Sequence, residues 1–317
     1  MRSFIPLLCL VIFLSCENKN KQQEPSSDFS GTSLLVLGTL QDGGSPHIGC
    51  NNDCCKSLFQ NPDHERKVVS LGIIDPQSQQ TFLIEAGPDL PSQFKELKEK
   101  SGFKTSENPD AVFITHAHIG HYSGLMYLGR EAMNAKAQVV YSMPRMKSFL
   151  ETNGPWNQLV RLNNIQLRTL KADSEIVLSP QLKIKAFLVP HRDEYSETVG
   201  FIISGPNKKA LFIPDIDKWE KWERGIVDEI KKVDYAFIDA TFFDAKEIQG
   251  KNIKEIPHPF VVESMELFKD LSPKEKNKIF FIHFNHTNPL LRKESVESKR
   301  VEESGFHTAK IHQQVVL

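Results

Sequence analysis

Apolar residues along this chain fall in short runs rather than long amphipathic stripes. Ser33-Leu34-Leu35-Val36-Leu37 is unbroken and ends at Gly38, the mark of a strand buried on both faces. Similar runs predict strands at Val68–Ile74, Thr81–Glu85, Ala111–Thr115 and Val139–Tyr141. Others follow at Ile165–Thr169, Leu182–Val189, Thr198–Ser204, Ala210–Ile213, Tyr235–Ile238 and Ile279–Ile282, with a last one near Val315–Val316. Helices are expected over Gln93–Lys100, Ser123–Met133, Arg145–Leu150, Lys218–Lys231, Phe260–Leu271 and Leu290–Glu303. Strands outnumber helices and arrive in two batches mixed with them. That order predicts an α/β fold with sheets packed face to face and helices outside, in one domain over 33–317.

The first residues depart from this pattern. In MRSFIPLLCLVIFLSC the apolar stretch from Phe4 to Leu14 is too short to span a bilayer and fits a signal-peptide core. Small Ser15 before Cys16 resembles a bacterial lipobox, with Phe13 where leucine is usual. A plain signal peptide and a short membrane anchor are the alternatives. The following ENKNKQQEPSSDFSGTS is polar and aperiodic, as a tether would be. The expected organisation is a signal over 1–15, a lipidated Cys16, a tether over 16–32, and a body held at a membrane surface facing the periplasm or the exterior.

Composition adds little beyond class. The 317 residues are 39% hydrophobic and 25% charged, enough to bury a sizeable core. With 39 basic against 40 acidic residues, no global field attracts nucleic acid, and no long basic run supplies a local one. Cysteine is more informative. Cys9 leaves with the signal and Cys16 takes the lipid, so Cys50, Cys54 and Cys55 remain, crowded into CNNDCC. Three thiolates sharing a soft metal, with a fourth ligand from elsewhere, account for them best. A strained Cys54–Cys55 disulfide and three inert thiols are the alternatives.

A second set of candidate ligands sits at the ends of predicted strands. His116, His118 and His121 follow Ala111–Thr115 in THAHIGH. His191 follows Leu182–Val189, Asp215 follows Ala210–Ile213, and His283 and His286 follow Ile279–Ile282. Strand ends are where a sheet aims side chains from distant segments at one point. His116 and His118, two apart in extended chain, point the same way, and His121 approaches from beyond a turn. Imidazole and carboxylate suit a borderline ion such as Zn²⁺. His64, His307 and His312 read as surface polar residues.

THAHIGH, VPH with His191, PD with Asp215 and IH with His283 together resemble the ordered ligand series of the metallo-β-lactamase superfamily. LGT..DGG.P before the cysteines, EAGPD, DATF and HTNP point to its branch around coenzyme PQQ synthesis protein B, the phosphonate-pathway cyclic phosphodiesterases and tRNase Z. The resemblance runs from about Leu34 to Leu291 and implies an αββα sandwich with a metal site on one edge. It implies that His116, His118 and His191 hold a first ion, which Asp215 bridges to a second held by His121 and His283. It implies a structural zinc on Cys50, Cys54, Cys55 and His286. The usual CxCxxC spacing is altered here, so Cys54 substitutes for the middle ligand and His47 is a possible replacement. His258 falls where a leaving-group proton donor is expected, although a plain loop histidine between Pro257 and Pro259 fits equally. Asp239 would orient it. Asp89 reads as either a hydrogen-bond acceptor behind the site or a cap for the helix after it.

The chain departs from the HxHxDH motif at Gly120, which offers no ligand. The expectation is therefore one structural and one catalytic zinc, with a second active-site ion weak or absent. The implied activity is a hydrolase in which zinc-activated hydroxide attacks a phosphodiester or related small-molecule ester. The alternative is a metal-binding lipoprotein that carries a cofactor, senses or binds a partner without hydrolysis.

Overall fold

The computed structural model describes Met1 and residues 31–248 and 255–317. The signal segment beyond Met1, Cys16 and all of the tether except Gly31 and Thr32 lie outside the described residues. Strands β1 (Ser33–Gly38), β2 (Ser70–Asp75), β3 (Gln80–Ile84), β4 (Ala111–Phe113), β5 (Gln138–Ser142) and β6 (Ile165–Thr169) build one sheet. Strands β7 (Glu175–Ser179), β8 (Leu182–Leu188), β9 (Val199–Ser204), β10 (Lys209–Ile213), β11 (Tyr235–Asp239), β12 (Ile279–Ile282) and β13 (His307–Thr308) build the other. The final strand, β14 (Gln314–Val316), returns to the first sheet and pairs with β1, Leu34 opposite Val315.

The unbroken apolar runs have a simple cause: both faces of each sheet are covered. Leu34 and Val36 join Phe82, Phe113, Phe201, Phe212 and Phe237 in the core between the sheets. Their neighbours Leu35 and Leu37 turn the other way, packing with Leu90, Phe94, Leu97 and Leu125 from the outer layer. On the second sheet, Leu211, Ile213, Ala236 and Ile238 face Ile226, Ile230, Val261 and Phe268. Burying each large side chain contributes roughly 1.5–3 kcal/mol. The αββα layering implied by the sequence is the architecture observed.

Strand direction positions the chemistry. β3 to β6 are mutually parallel, and so are β10 to β13. Their C-terminal ends gather on one edge of the sandwich, where the loops after β4, β10 and β12 meet.

Several helices are shorter than the spacing suggests. Over Ser123–Met133 only a 3₁₀ segment forms, Ser123–Leu128. Gly124 there packs so closely that a Cβ would lie 2.0 Å from the Gly87 carbonyl oxygen. The helix expected at Lys218–Lys231 is broken at Gly225, φ +71°, into Trp219–Lys221 and Ile226–Lys231. Phe260–Leu271 stops at Leu267, and Ser272 starts a separate turn with its own capping box. Ser295 likewise caps Val296–Glu303 and separates it from Pro289–Leu291. The short edge strands β7 and β13 and the helix Trp156–Arg161 have no counterpart in the sequence reading.

Candidate metal centre

His116, His118, His191 and Asp215 each place one ligand atom within 4.8 Å of the others'. Asp42, His121 and His283 form an adjoining group, and Asp215 also neighbours Asp239, His258 and His283. All of these follow or end strands on the shared edge. His116 and His121 are fully buried, as are Asp215, Asp239 and His283. The backbones of Glu85 (φ +75°) and His283 (φ +69°) are left-handed, an arrangement costing about 1–3 kcal/mol in a non-glycine residue. At both positions the strain sits where a strand turns its last side chain toward the cluster.

The hydrogen bonds behind the imidazoles settle which nitrogen faces inward. The Thr115 hydroxyl donates to Glu85 Oε1 (2.5 Å), so its oxygen accepts from His116 Nδ1 (2.8 Å). The Thr241 hydroxyl donates to Asp239 Oδ1 (2.7 Å) and accepts from His283 Nδ1 (2.9 Å) in the same way. His191 Nδ1 donates to Asp217 Oδ1 (3.2 Å), and His118 Nε2 donates to Glu194 Oε2 (3.3 Å). One proton per neutral ring is thereby committed outward. The inward atoms are lone pairs: His116 Nε2, His283 Nε2, His191 Nε2 and His118 Nδ1. His191 Nε2 and His118 Nδ1 face each other at 3.3 Å, and Asp215 Oδ2 lies 3.1 Å from the former. His116 Nε2, His121 Nε2, His283 Nε2, Asp42 Oδ1 and Asp215 Oδ1 are buried without a hydrogen-bond partner.

Converging lone pairs repel unless positive charge, a proton or a metal ion, sits among them. The donor set, imidazole nitrogen and carboxylate oxygen, is that of Zn²⁺ or a similar divalent ion, and the residues fit such an ion. Without an ion, the buried carboxylates hold protons on some of these rings instead. Burial, then the neighbouring His121, hold His116 well below the usual imidazole range. Burial opposes a charge on Asp215, yet His191 and His258 hold its carboxyl well below the usual range. His191 is carried up to about 9 against its own burial, chiefly by Asp215.

His258 is placed beside the ligands. Its Nδ1 lies 2.8 Å from Asp239 Oδ2 and 3.1 Å from Asp215 Oδ1. Asp239 is fully engaged, since it also accepts from the amides of Ile216 (3.1 Å) and Thr241 (2.9 Å). The His258–Asp239 pairing expected from sequence is therefore present as geometry.

Cys50, Cys54, Cys55 and His286 form a separate group, again with ligand atoms within 4.8 Å. Cys54 Sγ is 3.7 Å from Cys50 Sγ and 3.9 Å from Cys55 Sγ, and all three thiols are free. Burial and the two neighbouring thiols push Cys54 up to about 12. His47 lies outside this group. Its Nδ1 donates to the Ile48 carbonyl (2.8 Å), and its ring stacks on His286 at 4.4 Å. Cys54, not His47, occupies the middle position.

A family model described as "Beta-lactamase superfamily domain" matches residues 80–284, spanning β3 to the residue after His283. The chain belongs to the beta-lactamase superfamily. Curated relatives of this superfamily member include "Coenzyme PQQ synthesis protein B" of Methylorubrum populi, 23% identical over 306 residues, 87% of this chain and 97% of that protein. The crystal structure of "Zn(2+)-bound PqqB from Methylobacterium extorquens" superposes with a TM-score of 0.74 at 21% identity, covering 90% of this chain and 100% of the other. A "New Diphosphatase from the PhnP Family" gives 0.61 at 20% identity over 90% of this chain and 97% of its own. The branch read from the sequence is thus the one its similar proteins occupy.

Of the two roles left open for Asp89, the structure shows the acceptor: it makes no side-chain cap for the helix Leu90–Ser101, and its Oδ2 accepts from the Val68 amide (2.7 Å). Gly120 itself offers no ligand, but a carboxylate that the sequence left unassigned lies beside it. Asp42 Oδ1 lies 2.9 Å from His121 Nε2. Asp42 went unassigned in the sequence, as did Glu85, 3.1 Å from His121 Nδ1, and Asp217. Asp42 shares one signal with the recognised ligands: it stands in a glycine-rich loop just past a strand.

Proposed function

We propose that this chain is a metal-dependent hydrolase acting on a phosphodiester or related small ester. The observation that carries this is the set of inward lone pairs on His116, His118 and His191 around Asp215, each ring pinned from behind. A divalent ion bound there supplies Lewis acidity, acidifying water and polarising a phosphoryl or carbonyl oxygen. The protein's own part is positional. Thr115, Glu194 and Asp217 keep the ring tautomers, and Asp239 holds His258 Nδ1 so that Nε2 is the nitrogen available to protonate a leaving alkoxide. The phosphodiester class is supported by fold neighbours described as a PhnP-family diphosphatase and tRNase Z.

The second reading is a metal protein without hydrolytic activity, favoured by the near full-length similarity to coenzyme PQQ synthesis protein B. Hydrolysis of bis(p-nitrophenyl) phosphate by the metal-loaded protein separates the two. The hydrolase reading expects turnover that chelation removes and that His116→Ala abolishes in a folded protein. A loaded protein inert toward a panel of esters and phosphodiesters favours the second. On the thiol group we propose a structural zinc, with Cys50, Cys54, Cys55 and His286 as ligands.

We further propose that lipid on Cys16 anchors the body to a membrane. The apolar Phe4–Leu14 stretch ending in Ser15-Cys16 supports this, and no described helix is long and apolar enough to cross a bilayer itself. Detergent-phase partitioning that Cys16→Ser abolishes is the expected result; partitioning unchanged by that substitution would contradict it.

A further inference from the structure

Gly120 and Asp42 occupy one place in the structure. A Cβ built on Gly120 would lie 2.2 Å from Asp42 Oδ1 and 2.5 Å from Asp42 Cα, closer than non-bonded atoms approach. No side chain at position 120, an aspartate least of all, coexists with the loop that carries Asp42. That loop is fixed from both sheets. Leu40 makes isolated bridges to Val68, just before β2, and to Phe284, just after β12. The Gln41 amide donates to the Phe284 carbonyl (2.9 Å), and the Phe284 amide donates to that of Thr39 (2.8 Å). Asp42 is thereby held against the residue after His283. A turn from Gln41 to Gly44, with Gly44 at φ +64°, closes the loop behind it.

Asp42 Oδ1 and His121 Nε2 approach to 2.9 Å, yet neither makes an aligned hydrogen bond to the other or to anything else. His283 Nε2, within 4.8 Å of both, is equally unpartnered. Asp215 Oδ2, shared with the first ion's ligands, is 3.8 Å from His121 Nε2. Three ligand atoms that follow different strands therefore converge on one point without an aligned hydrogen bond among them. Behind the ring, His121 Nδ1 lies 3.1 Å from Glu85 Oε1, an ion-pair distance without an aligned hydrogen bond.

We propose that Asp42 replaces the carboxylate missing from position 120, so that Asp42, His121 and His283, with Asp215 shared, hold a second divalent ion beside the first. Gly120 is then the space that the incoming carboxylate requires. The inference rests on the reading of the His116, His118, His191 and Asp215 cluster as a metal centre. The chain carries three ions in total, not the two expected when position 120 is considered alone.

The test is zinc stoichiometry of the full-length protein by elemental analysis after gel filtration, with Zn²⁺ titration for affinity. Wild type should hold three equivalents. Asp42→Ala and the near-isosteric Asp42→Asn should hold two, or bind the third about a hundredfold more weakly or worse, with near-ultraviolet dichroism unchanged. Three tight equivalents in both variants, or two in the wild type, would overturn the proposal, the latter leaving Asp42 as only a brace for His121. One equivalent in the wild type, unchanged by His116→Ala, would instead sink the underlying metal-centre reading, and this proposal with it.

Discussion

The two candidate metal groups are built in opposite ways. The histidine–aspartate centre draws its side chains from six strand ends or the loops after them, in both sheets, and most of its rings have a fixed partner on the outer nitrogen. The thiol group comes from one short segment, Cys50 to Cys55, plus His286. Its sulfurs contact one another, and Cys55 Sγ accepts from the His47 amide (3.3 Å). The first centre is preorganised by the sandwich and should keep its shape without an ion. An ion on the second would tie a local loop to the segment after β12. One group spends fold stability to place ligands, as the left-handed backbones of Glu85 and His283 record, and the other gains stability when its ligands are filled.

That contrast can be broken at several points. The largest effect is expected from Asp215→Asn, which should lower turnover of bis(p-nitrophenyl) phosphate by roughly 10³-fold or more. Its thermal midpoint should change little, because the strands, not the ion, hold this edge together. A collapse in midpoint matching the loss of activity would mean the centre is not preorganised. His258→Ala should lower kcat by about 10²-fold or more with zinc content unchanged, as removal of a proton donor does; loss of zinc in this variant would recast His258 as a ligand.

Cys55→Ser should act in the reverse sense. It should remove about one zinc and destabilise the fold by more than about 2 kcal/mol in urea titration, with activity retained in the folded fraction. Unchanged stability would show the thiols to be inert. The smallest effect is expected at a bracing residue. Asp217→Asn, which weakens the hold on His191 Nδ1, should reduce active-site zinc affinity about tenfold, read by chelator competition, and leave the thiol site untouched.

How much of this was legible in the sequence follows the same divide between local and distant. Leu34 to Leu37 announced a doubly covered strand because both faces of β1 are apolar. His116, His118, His191, Asp215 and His283 were legible because each sits in a short motif at the end of an apolar run. Helix ends were not, since Gly225 and Ser272 stop helices through backbone conformation and capping that apolar spacing does not register. Asp42 was hidden for a different reason. Its proximity to His121 depends on the bridge from Leu40 to Phe284, a contact across most of the chain. The side chain that occupies the space beside Gly120 lies 78 positions earlier in the chain.

The most direct test of the account is a diffraction map recorded at the zinc absorption edge on crystals of the zinc-loaded protein. The account predicts an anomalous peak enclosed by His116, His118, His191 and Asp215, a neighbour about 3.5–4 Å away between Asp42, His121 and His283, and one among the thiols and His286. A map with density at the thiols alone would contradict its central claim, that the histidine edge of the sandwich is a metal centre.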